Sequence, residues 1–262
     1  MLVSIVTPTY NEDKNIANLL YVIANIFSET KYDYEHIIVD NCSTDSTIEE
    51  INKFKKRSSV KIQTIINSAN RGPDYSPFVG FAESAGDVVI PIVADFQDPP
   101  ELITTLLAMY EKHADTDAVT CINESRNPKN FRSVCSVVFY WILKRISLYN
   151  EQDHFQGFGL YSRKLVNRMV ADPYRYYYFR GLLSKYADKT ISVPYHRPPR
   201  LREKTSYTWV KLIKHAIVAV NSQNPYFWDF IAVATILMNQ HIVLTFCVVT
   251  LALAFKSIYT TE

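Results

Sequence analysis

The chain has 262 residues, 48% hydrophobic and 21% charged, enough for one large α/β domain or a domain with an appendage. A net charge of +2 and a pI near 8.2 are too mild for a nucleic-acid-binding surface, so no nucleic acid is expected as a partner. Only six glycines occur, and neither G-x-G-x-x-G nor a P-loop is present, which argues against dehydrogenases and NTPases.

Leu2 to Thr7 reads as a first strand, entered without a charged leader, so no signal peptide and a cytoplasmic globular part are expected. The turn Pro8-Thr9-Tyr10-Asn11-Glu12 follows, with Asn11 placed to cap a helix carrying Ile16, Leu19, Leu20, Ile23, Ile26 and Phe27. Glu35 to Asp40 is a second buried strand, Asn41 to Asp45 a polar turn, and Ile48, Ile51 and Phe54 mark the next helix. Lys61 to Ile66 is a third strand. This alternation predicts a doubly wound, mostly parallel sheet flanked by helices. A loop, NSANRGPDYS, leads to a short helix around Phe78 to Ala85.

Val88 to Val93 is an apolar run suited to a strand buried on both faces. It ends at Ala94-Asp95, and Asp98-Pro99-Pro100-Glu101 then has the order of a helix start: Asp98 as N-cap and Pro99 as first residue. Asp117 to Cys121 is a further strand, 123–130 a polar loop, Phe131 to Leu148 a helix, Phe158 to Tyr161 a strand and Arg163 to Val170 a helix. From Tyr174 the composition shifts to crowded tyrosines beside Arg175 and Arg180, then to a basic run from His196 to Lys204. Four cysteines (Cys42, Cys121, Cys135, Cys247) lack paired spacing and read as reduced thiols.

Thr208 to Ser222 is amphipathic and basic, with Trp209, Leu212, Ile213, Ala216 and Ile217 on one face. Tyr226 to Phe255 is nearly all apolar, broken by Asp229 and by Asn239-Gln240-His241. As one helix it would run about 45 Å against a hydrocarbon core of about 30 Å. The expected organisation is a catalytic domain over 1–207, an amphipathic juxtamembrane helix over 208–224 and a membrane-associated tail over 225–262. That tail either re-enters at the polar triplet or dips in from Ile242 to Phe255.

Asp40 and Asp95 both end buried strands and should face one crevice at the carboxyl edge of the sheet, with Tyr10 and Glu12 pointing there too. Carboxylates, an aromatic and arginines together suit a nucleoside diphosphate held through a divalent metal. Asp98 reads as a cap.

VTPTYNE (6–12), VDNCSTDST (39–47), NRG (70–72), AGD (85–87) and ADFQDPPE (94–101) resemble family 2 glycosyltransferases of GT-A fold. GLYSRKLV (159–166), YFRGLL (178–183) and VPYHRPPR (193–200) with Tyr207 are similar to the polyprenyl-phosphate branch, the branch of dolichyl-phosphate mannose synthase. The likeness implies that Pro8, Tyr10, Glu12, Asp40 and Asn70 hold the nucleoside. It implies that Asp95 holds Mg²⁺ or Mn²⁺ and the diphosphate, that Gln97 lies near the sugar or phosphates, and that Arg180, Arg197 and Arg200 gather phosphate charge.

The chain departs from the branch at several positions. Val93 stands at the first acid of D-x-D, Gly157 where the branch often has aspartate (Asp153 is the nearby acid), and Ser206 at the late lysine, with Lys204 nearby. The implied function is inverting transfer from a UDP- or GDP-linked sugar to a polyprenyl phosphate at the cytoplasmic face of the cell membrane, with a homo-oligomer compatible. Two alternatives remain: extension of a surface polysaccharide on a sugar hydroxyl, and an inactive membrane scaffold.

Overall fold

The computed structural model describes residues 1–113, 115–124, 131–149, 155–173, 178–198, 209–224, 226–238, 248–254 and 256. Contacts divide the chain into two units, Met1–Asn127 with Glu151–Ser206 and Pro128–Asn150 with Tyr207–Glu262. In chain order the elements are β1 (Leu2–Thr9), α1 (Ile16–Ser28), β2 (Asp33–Asp40), α2 (Thr47–Lys55), β3 (Lys61–Ile66), α3 (Tyr75–Glu83), β4 (Val88–Pro91), α4 (Leu102–Lys112), β5 (Ala118–Asn123), α5 (Phe131–Ile146), β6 (Phe155–Ser162), α6 (Arg163–Ala171), α7 (Phe179–Tyr186), β7 (Thr190–Tyr195), α8 (Trp209–Gln223) and α9 (Phe227–Met238).

The first unit is built on one sheet in the order β3-β2-β1-β4-β6-β5-β7. β6 runs antiparallel to β4 and β5, and every other pairing is parallel. Alternate residues of β1 serve two cores. Val3 and Ile5 pack with α1, α2 and α4, whereas Val6 packs with α3, α6 and α7. Both faces of the sheet are covered, which is why the central strands read as unbroken apolar runs.

Elements through Ile66 match the expected order closely. Differences begin at β4, which stops at Pro91 rather than Val93. Proline has no amide to donate, so the ladder ends there, although the Ile92 amide still reaches the Val6 carbonyl at 2.9 Å. The α4 helix starts at Leu102, with Glu101 in the cap position, so Asp98 is not its N-cap and Pro99 not its first residue. Leu102 and Ile103 donate to the carbonyls of Pro99 and Pro100, a tight turn that the two prolines preset. Asn11 does not cap α1 either; it takes a left-handed conformation, and its side chain accepts from the Thr44 amide at 2.8 Å. Sequence reading missed α7 and β7. The latter is a short edge strand in which only Val193 and Tyr195 are buried, and the tyrosine-rich composition before it hides its pattern.

The second unit is helical. The end of α5 is tied to the end of α8: Ser147 Oγ donates to Gln223 Oε1 at 2.5 Å, and the Leu148 amide donates to the Gln223 carbonyl at 3.2 Å. Asn224 Nδ2 closes the junction on the Ile146 carbonyl at 2.9 Å. The expected apolar face of α8 is only partly realised, since Ile213 is exposed while Ala219, Val220 and Gln223 are buried. Among the described residues, no helix is long and apolar enough to cross a membrane. The described part of α9 ends at Met238, and the polar triplet 239–241 lies outside the described residues.

Candidate active site

Parallel pairing fixes where the functional loops emerge. Thr9 lies opposite Asp40 and Asp40 opposite Ile66, while Val6 lies opposite Pro91. The loops after β1, β2, β3 and β4 therefore leave the same carboxyl edge, with β1 between the strands that carry Asp40 and lead to Asp95.

The first two loops are zipped together. The Asn11 amide donates to Ser43 Oγ at 2.9 Å, the Glu12 amide to Thr47 Oγ1 at 2.8 Å, and the Asp13 amide to Asp45 at 3.2 Å. Pro8 closes the end of β1, Tyr10 stands out from the turn, 45% exposed, and the Glu12 carboxylate accepts from Asn15 Nδ2 at 2.7 Å. Asp40 is buried, and its carboxylate accepts the Ser43 amide at 2.9 Å and the Ser43 hydroxyl at 2.5 Å. The third loop is organised by Asn41, which the sequence reading quoted but gave no role. Its side chain accepts from the Arg71 amide at 3.0 Å and donates to Asn70 Oδ1 at 2.9 Å. Asn70 in turn accepts the Gly72 amide at 3.0 Å. An asparagine beside a strand-end aspartate was the available signal, because a short amide side chain both donates and accepts across a turn.

The loop after β4 is more tightly built. Asp95 Oδ1 accepts the Gln97 amide at 3.0 Å, and Phe96 between them is left-handed at φ 58°. Asp98 turns inward and is only 5% exposed. Its carboxylate lies 3.4 Å from an Arg197 guanidinium nitrogen. Burial raises its pKa to about 6, against the pull of Arg197 and with a smaller push from Asp95. A buried, shifted carboxyl beside the Asp95 loop makes Asp98 a candidate functional residue, which its reading as a cap does not offer. Burial, with a contribution from the Asp98 charge, pushes the neighbouring Cys121 thiol up to about 12.

Cations enter from the other half of the unit. The Arg197 amide donates to Asn123 Oδ1 at 3.3 Å, which fixes it at the end of β5. Arg180 donates to the Phe155 carbonyl at 3.1 Å and lies over the Tyr178 ring at 5.3 Å. Arg200, Asp153, Lys204, Ser206 and Tyr207 fall outside the described residues. Gly157 sits at φ 100°, accepts the Tyr161 hydroxyl at 2.8 Å, and would bring a side chain against the Phe179 ring.

Among the described residues, no three His, Cys, Asp or Glu side chains form a metal cage. The acid that would pair with Asp95 is Val93, and Asp98 faces Arg197 instead. A single carboxylate suits Mg²⁺ or Mn²⁺ only where a bound diphosphate and water complete the oxygen shell. An open groove of about 530 Å³ lined by Tyr21, Phe27, Tyr34, Phe54 and Arg57 lies at the amino ends of β2 and β3, away from these carboxylates.

Acidic and amide-bearing loops on one edge of a mostly parallel sheet, continued by an antiparallel strand, are the arrangement of the GT-A fold. The chain belongs to glycosyl transferase family 2, whose family model matches residues 4–170. An uncharacterized glycosyltransferase of Synechocystis is 29% identical over 221 residues, 84% of this chain and 68% of that protein. Glucosyl-3-phosphoglycerate synthase from Mycobacterium tuberculosis, in complex with Mn²⁺, UDP-glucose and phosphoglyceric acid, superposes with a TM-score of 0.62 at 16% identity, over 84% of this chain and 79% of that one. S. aureus TarS in complex with UDP-GlcNAc gives 0.54 at 17% identity, over 84% and 67%. In other TarS structures the matched share is 35% to 58% of their length. At these identities the structures speak for the fold.

Proposed function

We propose that the chain moves a sugar, with inversion, from a nucleoside diphosphate sugar to a polyprenyl phosphate at the cytoplasmic face of a membrane. The observation that carries the choice of acceptor is the pair of arginines, Arg180 held on the Phe155 carbonyl and Arg197 beside Asp98. Gly157, where the polyprenyl-phosphate branch often has aspartate, is a departure that a phosphate acceptor tolerates. At φ 100° this position favours glycine, so a carboxylate there would be strained. A hydroxyl acceptor needs a base, whereas a phosphate monoester arrives already ionised. Its oxygen forms the new bond to the anomeric carbon as the bond to the leaving diphosphate breaks, and no proton has to move. The task left to the protein is to position and shield charge, which Arg180 and Arg197 suit, with Arg200 joining them on sequence grounds.

In this reading the loops at the carboxyl edge of the sheet take the donor. Tyr10 presents a ring for the base, the Asp40-Asn41-Asn70 network lines the nucleoside, and Asp95 and Gln97 stand at the diphosphate. A divalent ion at Asp95, Mg²⁺ or Mn²⁺, would supply charge neutralisation for the leaving group. Uridine donors are favoured over guanosine ones by the likeness to proteins crystallised with UDP-glucose and UDP-GlcNAc. The apolar tail is read as the membrane-associated part that brings the lipid within reach.

The test is purified full chain with labelled UDP-glucose, UDP-GlcNAc or GDP-mannose, undecaprenyl phosphate and Mn²⁺. A lipid-linked sugar is expected, with Asp95→Ala about a hundredfold slower or worse. No lipid product from any donor overturns the reading. A second reading, transfer to a sugar hydroxyl, is favoured by one feature: the carboxyl of Asp98, with its pKa near 6, has the proton affinity a base needs. Product on an oligosaccharide that disappears in Asp98→Asn would select it.

A further inference from the structure

Of the thirteen large apolar side chains that stand exposed among the described residues, nine belong to the helical second unit: Val138, Trp141, Ile142, Leu148, Ile213, Tyr226, Phe230, Leu251 and Leu253. On α5 they are not scattered. Val138, Trp141 and Ile142 recur at helical spacing and make one stripe, with Trp141 58% exposed. Leu143, on the other side of the helix, is 1% exposed, so the stripe is not simply the apolar side of a helix awaiting its own core. Arg145, one turn on, lies over the Trp141 ring at 4.4 Å, and Lys144 stands exposed beside it.

We infer that this stripe of α5 is a membrane-surface contact, an interfacial helix that lays Val138, Trp141 and Ile142 among the acyl chains of an anionic bilayer while Lys144 and Arg145 meet its head groups. Charge selects this occupant over a second copy of the chain. α5 carries Arg132, Lys144 and Arg145 and no acid. A two-fold contact through the same stripe would bring cations onto cations, at a cost in a water-poor interface. An anionic lipid surface removes that cost and attracts each cation. Trp141 has an apolar body with an N–H at its rim, and an arginine stem can lie along apolar surface with its head in water; both properties fit head-group depth. The contact differs from the apolar tail in lying within 128–150, which the chain inserts between β5 and β6 of the catalytic sheet.

The inference rests on the exposed stripe and not on sugar transfer, so its test uses neither donor nor acceptor. Full chain with Trp209 and Trp228 changed to phenylalanine leaves Trp141 as the sole indole. Its emission should shift to the blue on adding vesicles of phosphatidylcholine with about 30 mol % phosphatidylglycerol, and much less with phosphatidylcholine alone. Co-sedimentation of Val138→Ser/Trp141→Ser/Ile142→Ser, and of Lys144→Glu/Arg145→Glu, should fall about tenfold on the anionic vesicles, with the melting temperature confirming a folded chain. Trp141 emission that does not move while the chain still sediments would overturn the inference, because other segments would then hold the membrane alone. A dimer in sedimentation velocity that the triple-serine variant dissociates would overturn it in favour of a second copy.

Discussion

Asp98 shows how a single side chain can be misplaced by local sequence rules and corrected by burial. Its neighbours Pro99, Pro100 and Glu101 have the order of a helix start, but the fold turns its carboxyl inward against Arg197. Its folded pKa, about 6, lies above the ordinary carboxylate value, so ionisation costs the fold more than it costs the unfolded chain. Stability from this group is therefore present in full below the unfolded value near 4 and is lost as pH rises toward 6. The span corresponds to on the order of 3 kcal/mol. Asp98→Asn should not lower the melting temperature at pH 8, and any gain should vanish near pH 4 in a calorimetric series. Transfer activity should nevertheless fall about ten- to a hundredfold, because the charge that seats Arg197 is gone. Gly157 makes the opposite point. The sequence reading marked it as a missing acid, whereas the backbone makes it a required glycine. Gly157→Asp should destabilise by about 1–3 kcal/mol in urea titration, and should not add activity on hydroxyl acceptors.

Between elements, the fit of helix to sheet sets what each position tolerates. Gly80 brings α3 so close to β1 that a Cβ would clash with Val6 Cγ1 and sit 3.2 Å from Val39. Gly80→Ala should cost about 1–3 kcal/mol, read as a lower denaturant midpoint at unchanged slope. At the amino edge of the sheet Glu35 ties several segments together. It accepts from Ser4 Oγ at 2.8 Å, Lys61 Nζ at 2.8 Å and the Ala85 amide at 2.6 Å. Burial pushes its pKa up, but these donors together bring it below the ordinary value. Its contribution to stability is therefore present above the unfolded pKa and is lost as pH falls through the folded one. Most of the helices and strands were legible because their apolar spacing reports which faces are covered. The end of β4, the start of α4, and β7 were not, since a proline-terminated ladder and a short edge strand leave weak periodic signals.

For the whole molecule, the donor edge is spread over loops from four strands, so ligand binding should be read as global stabilisation. UDP with Mn²⁺ at about a hundred times its dissociation constant should add about 2.7 kcal/mol. In a chain of this size that is a rise of about 5–10 °C in melting temperature. Chelation with EDTA, and separately Asp95→Ala, should remove most of the rise. Calorimetry showing the same rise in both cases would take the metal away from Asp95.

From the residue order alone came the sheet-and-helix alternation, the strand-end positions of Asp40 and Asp95, and the likeness to family 2 glycosyltransferases, because periodicity and turn chemistry are local properties. Which side chains meet across long separations came only from the tertiary structure. Asp98 with Arg197 is 99 residues apart, Asn41 with the loop at Asn70 is 29, and the outward stripe of α5 is visible only once Leu143 is buried. Such pairings depend on the register of the sheet and on which face of each helix is covered, and neither is encoded in any one window of the chain.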